Sequence, residues 1–148
     1  MVYGIIRRYI NQEAAAKEIL NDSFYKILTR LDSYGFKGAF EGWMRTIAVY
    51  TITDHVRKNM KHDKAMQPQP EHFDVGAPQD ITAQLSYKQL LLLIHELPDT
   101  QRAVFNLHVL ESYAHKEIAN LLGITEINSR WHLNDARRRL KEKIKSLT

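Results

Sequence analysis

Pro68, Pro70, Gly76 and Pro78 fall within eleven residues near the middle of the chain, among Gln, Glu and Asp. Proline lacks a backbone donor and fixes φ, so a stretch this rich in it neither continues a helix nor joins a sheet interior. It reads as a flexible linker over 63–83, dividing the sequence into units of 1–62 and 84–148. Each unit lies near the lower limit for a self-sufficient core. The chain has 148 residues, 44% hydrophobic and 26% charged, which places it with globular proteins and excludes disorder throughout. Cysteine is absent, so disulfides and thiolate metal sites are excluded. Met1 to Ile10 is a short apolar stretch broken by Arg7 and Arg8, with neither a signal-peptide nor a membrane-span pattern. A cytoplasmic protein without membrane insertion is expected.

Both units read as helical, and an all-α fold of two small domains is expected. Residues 11–32 carry an apolar stripe at Ala16, Ile19, Leu20, Phe24, Ile27, Leu28 and Leu31. Asp32 to Gly38 breaks it with two glycines and a turn-forming Asp-Ser. A second long helix runs from Phe40 to Lys61, with Phe40, Met44, Ile47, Thr51 and Val56 inward and Trp43, Ala48 and Ile52 on its flanks. Beyond the linker, Leu85 to Glu96 is a Leu-rich helix that Pro98 ends, and Asp99 is expected to cap the next one. Charge is uneven: residues 1–66 carry 11 basic and 7 acidic side chains, 67–98 carry 1 and 4, and 99–148 carry 9 and 6. Two basic blocks flanking an acidic middle suit a polyanionic partner.

The strongest local signal is Tyr113 to Thr125, running into Glu126–Leu140. A short helix presents Ile118, Ala119 and Leu122 to a core, Gly123 permits a sharp turn, and Thr125 caps the next helix. Ser129, Leu133, Ala136, Leu140 and Ile144 then form an inward stripe, and the small Ala119 lets the two helices cross closely. This is a helix-turn-helix, whose second helix is sized for a DNA major groove. Its outward face carries Arg130, Trp131, His132, Asn134, Arg137 and Arg138, then Arg139, Lys141, Lys143 and Lys145. Arg and Asn suit base edges, and the later basic cluster suits phosphates.

Leu97 to Phe105 followed by Tyr113–Leu140 resembles the promoter −35-binding domain of extracytoplasmic-function (ECF) sigma factors. The first unit is similar to the same family. Glu18 to Phe24 resembles its core-binding helix, and Phe40 to Ala48 through Asp54 to Lys58 its −10-binding helix. The resemblance implies a subunit that binds core RNA polymerase and directs it to promoter DNA, with no catalysis of its own and no cofactor or metal. An anti-sigma protein is the further partner implied. Glu18, Asn21 and Asp22 are the implied polymerase contacts. Arg130, Trp131, His132, Asn134, Asp135, Arg137 and Arg138 are the implied −35 contacts. Tyr34, Phe36, Lys37, Arg45, Tyr50, Arg57 and Lys58 are implied at the −10 element and in melting, where loop aromatics stack on unpaired bases. Trp43 reads better as core.

Departures from the family pattern are specific. On this resemblance the chain is expected to enter the family's first helical segment part-way, near Met1. Tyr50 stands where many relatives have Asn, Ala114 replaces a Ser or Thr cap, and Asp135 stands where relatives often carry a basic residue facing DNA. Two other readings are weighed beside this one. A stand-alone helix-turn-helix regulator leaves the first unit without a task, and a nuclease using Asp54 and His55 lacks any ligand spacing for a metal. At rest, the two units either stay apart, pack together or are clasped by the anti-sigma partner.

Overall fold

The computed structural model describes residues 1–35, 38–60 and 86–147. The expected linker lies outside the described residues, as do Phe36 and Lys37. The elements are α1 (Val2–Tyr9), α2 (Glu13–Thr29), α3 (Leu31–Tyr34), α4 (Phe40–Met60), α5 (Tyr87–His95), α6 (Asp99–Phe105), a π-helical turn (Asn106–Leu110), α7 (His115–Leu122) and α8 (Glu126–Leu147). The fold is all-α, and no strand occurs among the described residues.

Local chemistry accounts for several helix ends in the second unit. At α5 the Ser86 hydroxyl accepts from the Gln89 N–H at 3.3 Å, while the Gln89 side chain accepts from the Ser86 N–H at 3.0 Å. This reciprocal cap starts the helix at Tyr87, two residues later than the leucine run suggests. Asp99 is not a cap: Pro98 holds that position, and Asp99 instead accepts from Arg102 Nη1 at 3.1 Å. A proline before the first turn already supplies the extended φ that a capping residue needs. At α7 only half of a capping box survives, with Glu117 accepting from the Ala114 N–H at 3.4 Å. Gly123 closes α7 at φ 68°, a left-handed conformation natural to glycine. Thr125 then accepts from the Asn128 N–H at 3.1 Å and starts α8.

The first helix, α1, falls on the short apolar stretch from Met1 to Ile10, where the resemblance implies part of a helical segment, and its Val2, Ile5, Ile6 and Tyr9 follow the helical period and are all buried. Those residues open a core that passes through Ala16 and Ile19 of α2 and Ile52 and Val56 of α4. It continues into Val104 of α6, Leu107, Ile118 and Leu122 of α7, and Leu133 of α8. A smaller cluster of Leu93, Leu97, Ala136 and Leu140 seals α5 against α8. The two units therefore share one continuous apolar interior. In α4 this buries Ile47, Ala48, Val49, Thr51, Ile52, Thr53, Val56 and Met60, far more than one stripe. Phe40, expected inward, is 41% exposed. A helix with packing partners on opposite sides is apolar nearly all round.

Candidate nucleic-acid interface

On α8, Arg130, Asn134, Arg137 and Lys141 recur at helical spacing along one outward side, with Arg130 and Arg137 exposed. Arg130 is steadied by Glu126 at 2.6 Å. Trp131 is half-buried and meets the His132 ring edge-on at 5.0 Å between centroids. Ser129 faces inward and pairs with His115 Nδ1 of α7 at 2.8 Å, which fixes the crossing of the two helices. His115 in turn stacks on His108 at 4.5 Å. Burial, the neighbouring His108 and the arginines of α8 all lower the pKa of His115.

Two residues placed on the outward face by sequence are not there. His132 is 7% exposed and Asp135 is 4% exposed, and Asp135 lies on the side that packs against α6. Asp135 survives burial because three donors reach it: Gln101 Nε2 from α6, Arg138 Nη2 at 2.6 Å and Arg139 Nε at 3.0 Å. Burial pushes its carboxyl up, and those hydrogen bonds more than offset that, so its pKa falls below the usual carboxylate range. A carboxylate enclosed in this way cannot reach a base edge.

His132 behaves oppositely. Burial, only partly offset by Asp135, lowers its pKa to about 4, and its Nδ1 has no hydrogen-bond partner. The folded state therefore resists protonation while the unfolded state takes a proton near pH 6.5. Stability is expected to be full above that pH and to fall by roughly 3 kcal/mol as pH drops towards 4. Melting curves of parent and His132→Leu between pH 7 and 4.5 check this, the variant showing a distinctly flatter dependence.

The candidate −10 face is divided between solvent and the second unit. Tyr50 is 50% exposed, beside a groove lined by Lys26, Thr53, Asp54, Arg57, Asn120 and Leu121, so that α7 overhangs it. Arg57 and Lys58 both pair with Asp54, at 2.5 and 3.1 Å, and the Arg57 stem packs against the turn at Gly123. Burial nudges the Asp54 carboxyl up, and the two cations bring it below its ordinary value. Arg45 reaches Glu111, just beyond the π-helical turn, with Nη1 at 3.0 and 2.9 Å from its two oxygens. Tyr34 packs against Phe40 and Trp43 at 5.3 and 5.4 Å, its hydroxyl donating to the Gly38 carbonyl. Tyr34 thus helps to hold an aromatic cluster at the start of α4, and Trp43 belongs to that half-buried cluster instead of the main core.

A third surface lies on α2. Glu18, Asn21 and Asp22 are exposed on one side of the helix, and Tyr25 and Leu28, 70% and 68% exposed, continue it. Phe24 and Leu31, 46% and 43% exposed, extend the apolar area. Phe24, Leu28 and Leu31 were expected inward. The helix carries more apolar positions than its core contact accommodates, because Ser23, buried and donating to the Ile19 carbonyl at 2.7 Å, occupies the inward turn. That surplus was the available signal.

Two profiles match in order along the chain, Sigma-70 region 2 over residues 1–62 and Sigma-70 region 4 over residues 87–140. This chain belongs to the ECF sigma factors. The sigma factor is similar to ECF RNA polymerase sigma factor SigM of Bacillus subtilis, 26% identical over 141 residues, covering 95% of this chain and 86% of the relative. It is also similar to ECF RNA polymerase sigma-E factor of Haemophilus influenzae, 22% identical over 157 residues and covering 99% and 82%. Its fold matches the sigma factor RpoE of Bartonella quintana, solved in complex with the anti-sigma factor NepR. The TM-score is 0.59 at 17% identity, over 97% of this chain and 89% of the other. As a sigma factor the chain is a transcription initiation factor. Among the described residues, no helix is long and apolar enough to cross a membrane.

Proposed function

We propose that this sigma factor docks on core RNA polymerase through the outward side of α2, reads the −35 element with α8, and meets the −10 element with α4 and the segment from Ser33 to Ala39. It performs no catalysis of its own and works in the cytoplasm. Arg130, Asn134 and Arg137 face the −35 bases and their flanking phosphates. Tyr50, Arg57 and Lys58 serve the −10 element, Arg45 joins them once released from Glu111, and Phe36 and Lys37 act in melting. An anti-sigma partner acts on the packed arrangement of the two units.

The observation that carries this reading is the apolar side of α2, centred on Tyr25 and Leu28 and rimmed by Glu18, Asn21 and Asp22, in a chain that also holds a helix-turn-helix. Exposed apolar area with a charged rim marks a protein contact, and a stand-alone DNA-binding regulator has no use for it in a separate unit. Asp22→Arg reverses one rim charge on an exposed position, so folding stability is expected to stay within about 0.5 kcal/mol of the parent. Affinity for core polymerase is expected to fall about tenfold or more, because like charges replace a complementary pair. Quantitative pull-down with core polymerase measures this, and unchanged retention would remove α2 as the docking surface.

A further inference from the structure

The enclosed carboxylate of Asp135 accounts for the state of two arginines beside it. Arg138 turns Nε and Nη2 onto Asp135 Oδ1, at 3.1 and 2.6 Å, and its Nη1 onto Glu142 at 3.0 Å. Arg139 turns Nε onto Asp135 Oδ2 at 3.0 Å. Gln101 of α6 donates to the same Oδ2, which anchors the carboxylate to a neighbouring helix. Two guanidinium and two carboxylate charges thus close on each other at the later part of the recognition helix. Arg137, the remaining member of the arginine run, makes no ion pair among the described residues and stays exposed.

We propose that Asp135 is a positioning residue for DNA selectivity: it draws Arg138 and Arg139 along the helix and cancels one of their charges. This leaves Arg137, which makes no ion pair among the described residues, and Arg130, paired with Glu126 alone, to dominate the encounter with the duplex. The inference rests on the reading of α8 as the −35 helix. Phosphate contacts supply affinity without sequence information, and each one adds about 0.9 to the slope of log K against log salt. A helix presenting three adjacent unpaired arginines binds any duplex well. The Asp135 carboxylate restrains that indiscriminate term without touching DNA itself, and it ties α8 to α6 through Gln101.

The test uses the full chain, duplexes carrying −35 elements selected from random sequence, and unrelated duplexes, titrated across a range of salt. Asp135→Asn fits the site sterically, and the Gln101 Oε1, buried without a partner, offers an acceptor for the new amide. The variant is expected to steepen the salt slope by about one and to bind unrelated DNA about fivefold to tenfold more tightly near 0.1 M salt. Its preference for the selected element is expected to drop by a similar factor, with no shift to a new sequence. In an Arg138→Gln, Arg139→Gln background, the same change is expected to leave the slope unmoved, since the residue acts through those arginines. Asp135→Glu, which keeps the charge, is expected to keep the parent slope and provides the comparison if the Asn variant folds poorly.

Gln101→Leu, which breaks the helix tie without altering charge, should lower the melting temperature and leave the slope alone. An Asp135→Asn protein that is merely less stable, with parental slope and selectivity, would overturn the proposal. So would a steepened slope that persists in the double-arginine background, because that is simple repulsion. Arg130→Ala and Arg137→Ala serve as the independent check on α8. If neither weakens DNA binding, the −35 reading itself fails, whatever Asp135 does.

Discussion

Arg102→Ala is expected to destabilise the fold by about 3–5 kcal/mol, one of the largest losses any single truncation here should cause. The Arg102 side chain is only 6% exposed, and all three of its nitrogens are engaged. Nε donates to the Ile94 carbonyl at 3.2 Å, Nη1 to the Tyr9 carbonyl at 2.9 Å, and Nη2 to the His95 and Leu97 carbonyls at 2.8 and 2.6 Å. Tyr9 ends α1, Ile94 and His95 end α5, and Leu97 lies just beyond it, so the guanidinium sits at two helix C-termini whose dipoles favour a cation. One guanidinium therefore finishes two helices from opposite units. The Ile94 carbonyl also accepts from the Leu97 N–H and the His95 carbonyl from Asn11 Nδ2, so truncation strands chiefly the Tyr9 and Leu97 carbonyls, each costing about 1–3 kcal/mol unless water enters. The pair with Asp99 adds little, because that carboxylate is 77% exposed. The melting temperature should drop by roughly 10 °C or more. Arg102→Lys should lose most of the same stability, since an ammonium cannot span the fork. A melting temperature within a few degrees of the parent would show that these carbonyls find other donors.

The same residue shows where sequence reading stops. Arg102 sits inside a stretch that resembles the family's second domain, yet its carbonyl partner on Tyr9 lies 93 positions away, and backbone acceptors leave no mark in a sequence. The turn between α7 and α8 was legible because glycine at positive φ and a threonine cap are chemical necessities expressed within three residues. The direction of α4 was not legible, since a helix with neighbours on both sides has no single stripe to read. On α2 the stripe was oriented correctly at Ala16, Ile19 and Ile27 and wrongly at Phe24 and Leu28: periodicity gives the apolar positions, and only the packed partner says which of them stay outside. Asp135 is a similar case. A carboxylate among arginines on a basic helix reads as solvent-facing, and only Gln101, 34 positions earlier, turns it inward.

Glu111→Gln is expected to loosen the packing between the two units. The Glu111 side chain is 4% exposed, and its described ionic partner is Arg45, reaching across from α4. A charge-assisted pair of this kind contributes about 1.5–3 kcal/mol, and glutamine retains the shape while losing the charge. If opening of the units controls amide exchange in α4 and α7, that exchange should quicken by about tenfold to a hundredfold, with the exposed end of α8 little changed. The variant also frees Arg45, 43% exposed, from its carboxylate. Binding of single-stranded DNA carrying the −10 sequence should therefore rise in Glu111→Gln and fall in Arg45→Ala, while both variants speed exchange. The double variant should exchange no faster than either single one, since one interaction is lost in all three, and should bind DNA like Arg45→Ala. This pattern separates a tie that holds the units together from a cation reserved for DNA. On the proposed reading Arg45 does both in turn, with Glu111 competing with DNA for it. Faster exchange without a gain in DNA binding would leave the pair as a structural tie alone, and unchanged exchange would show that the shared apolar core holds the units together without it.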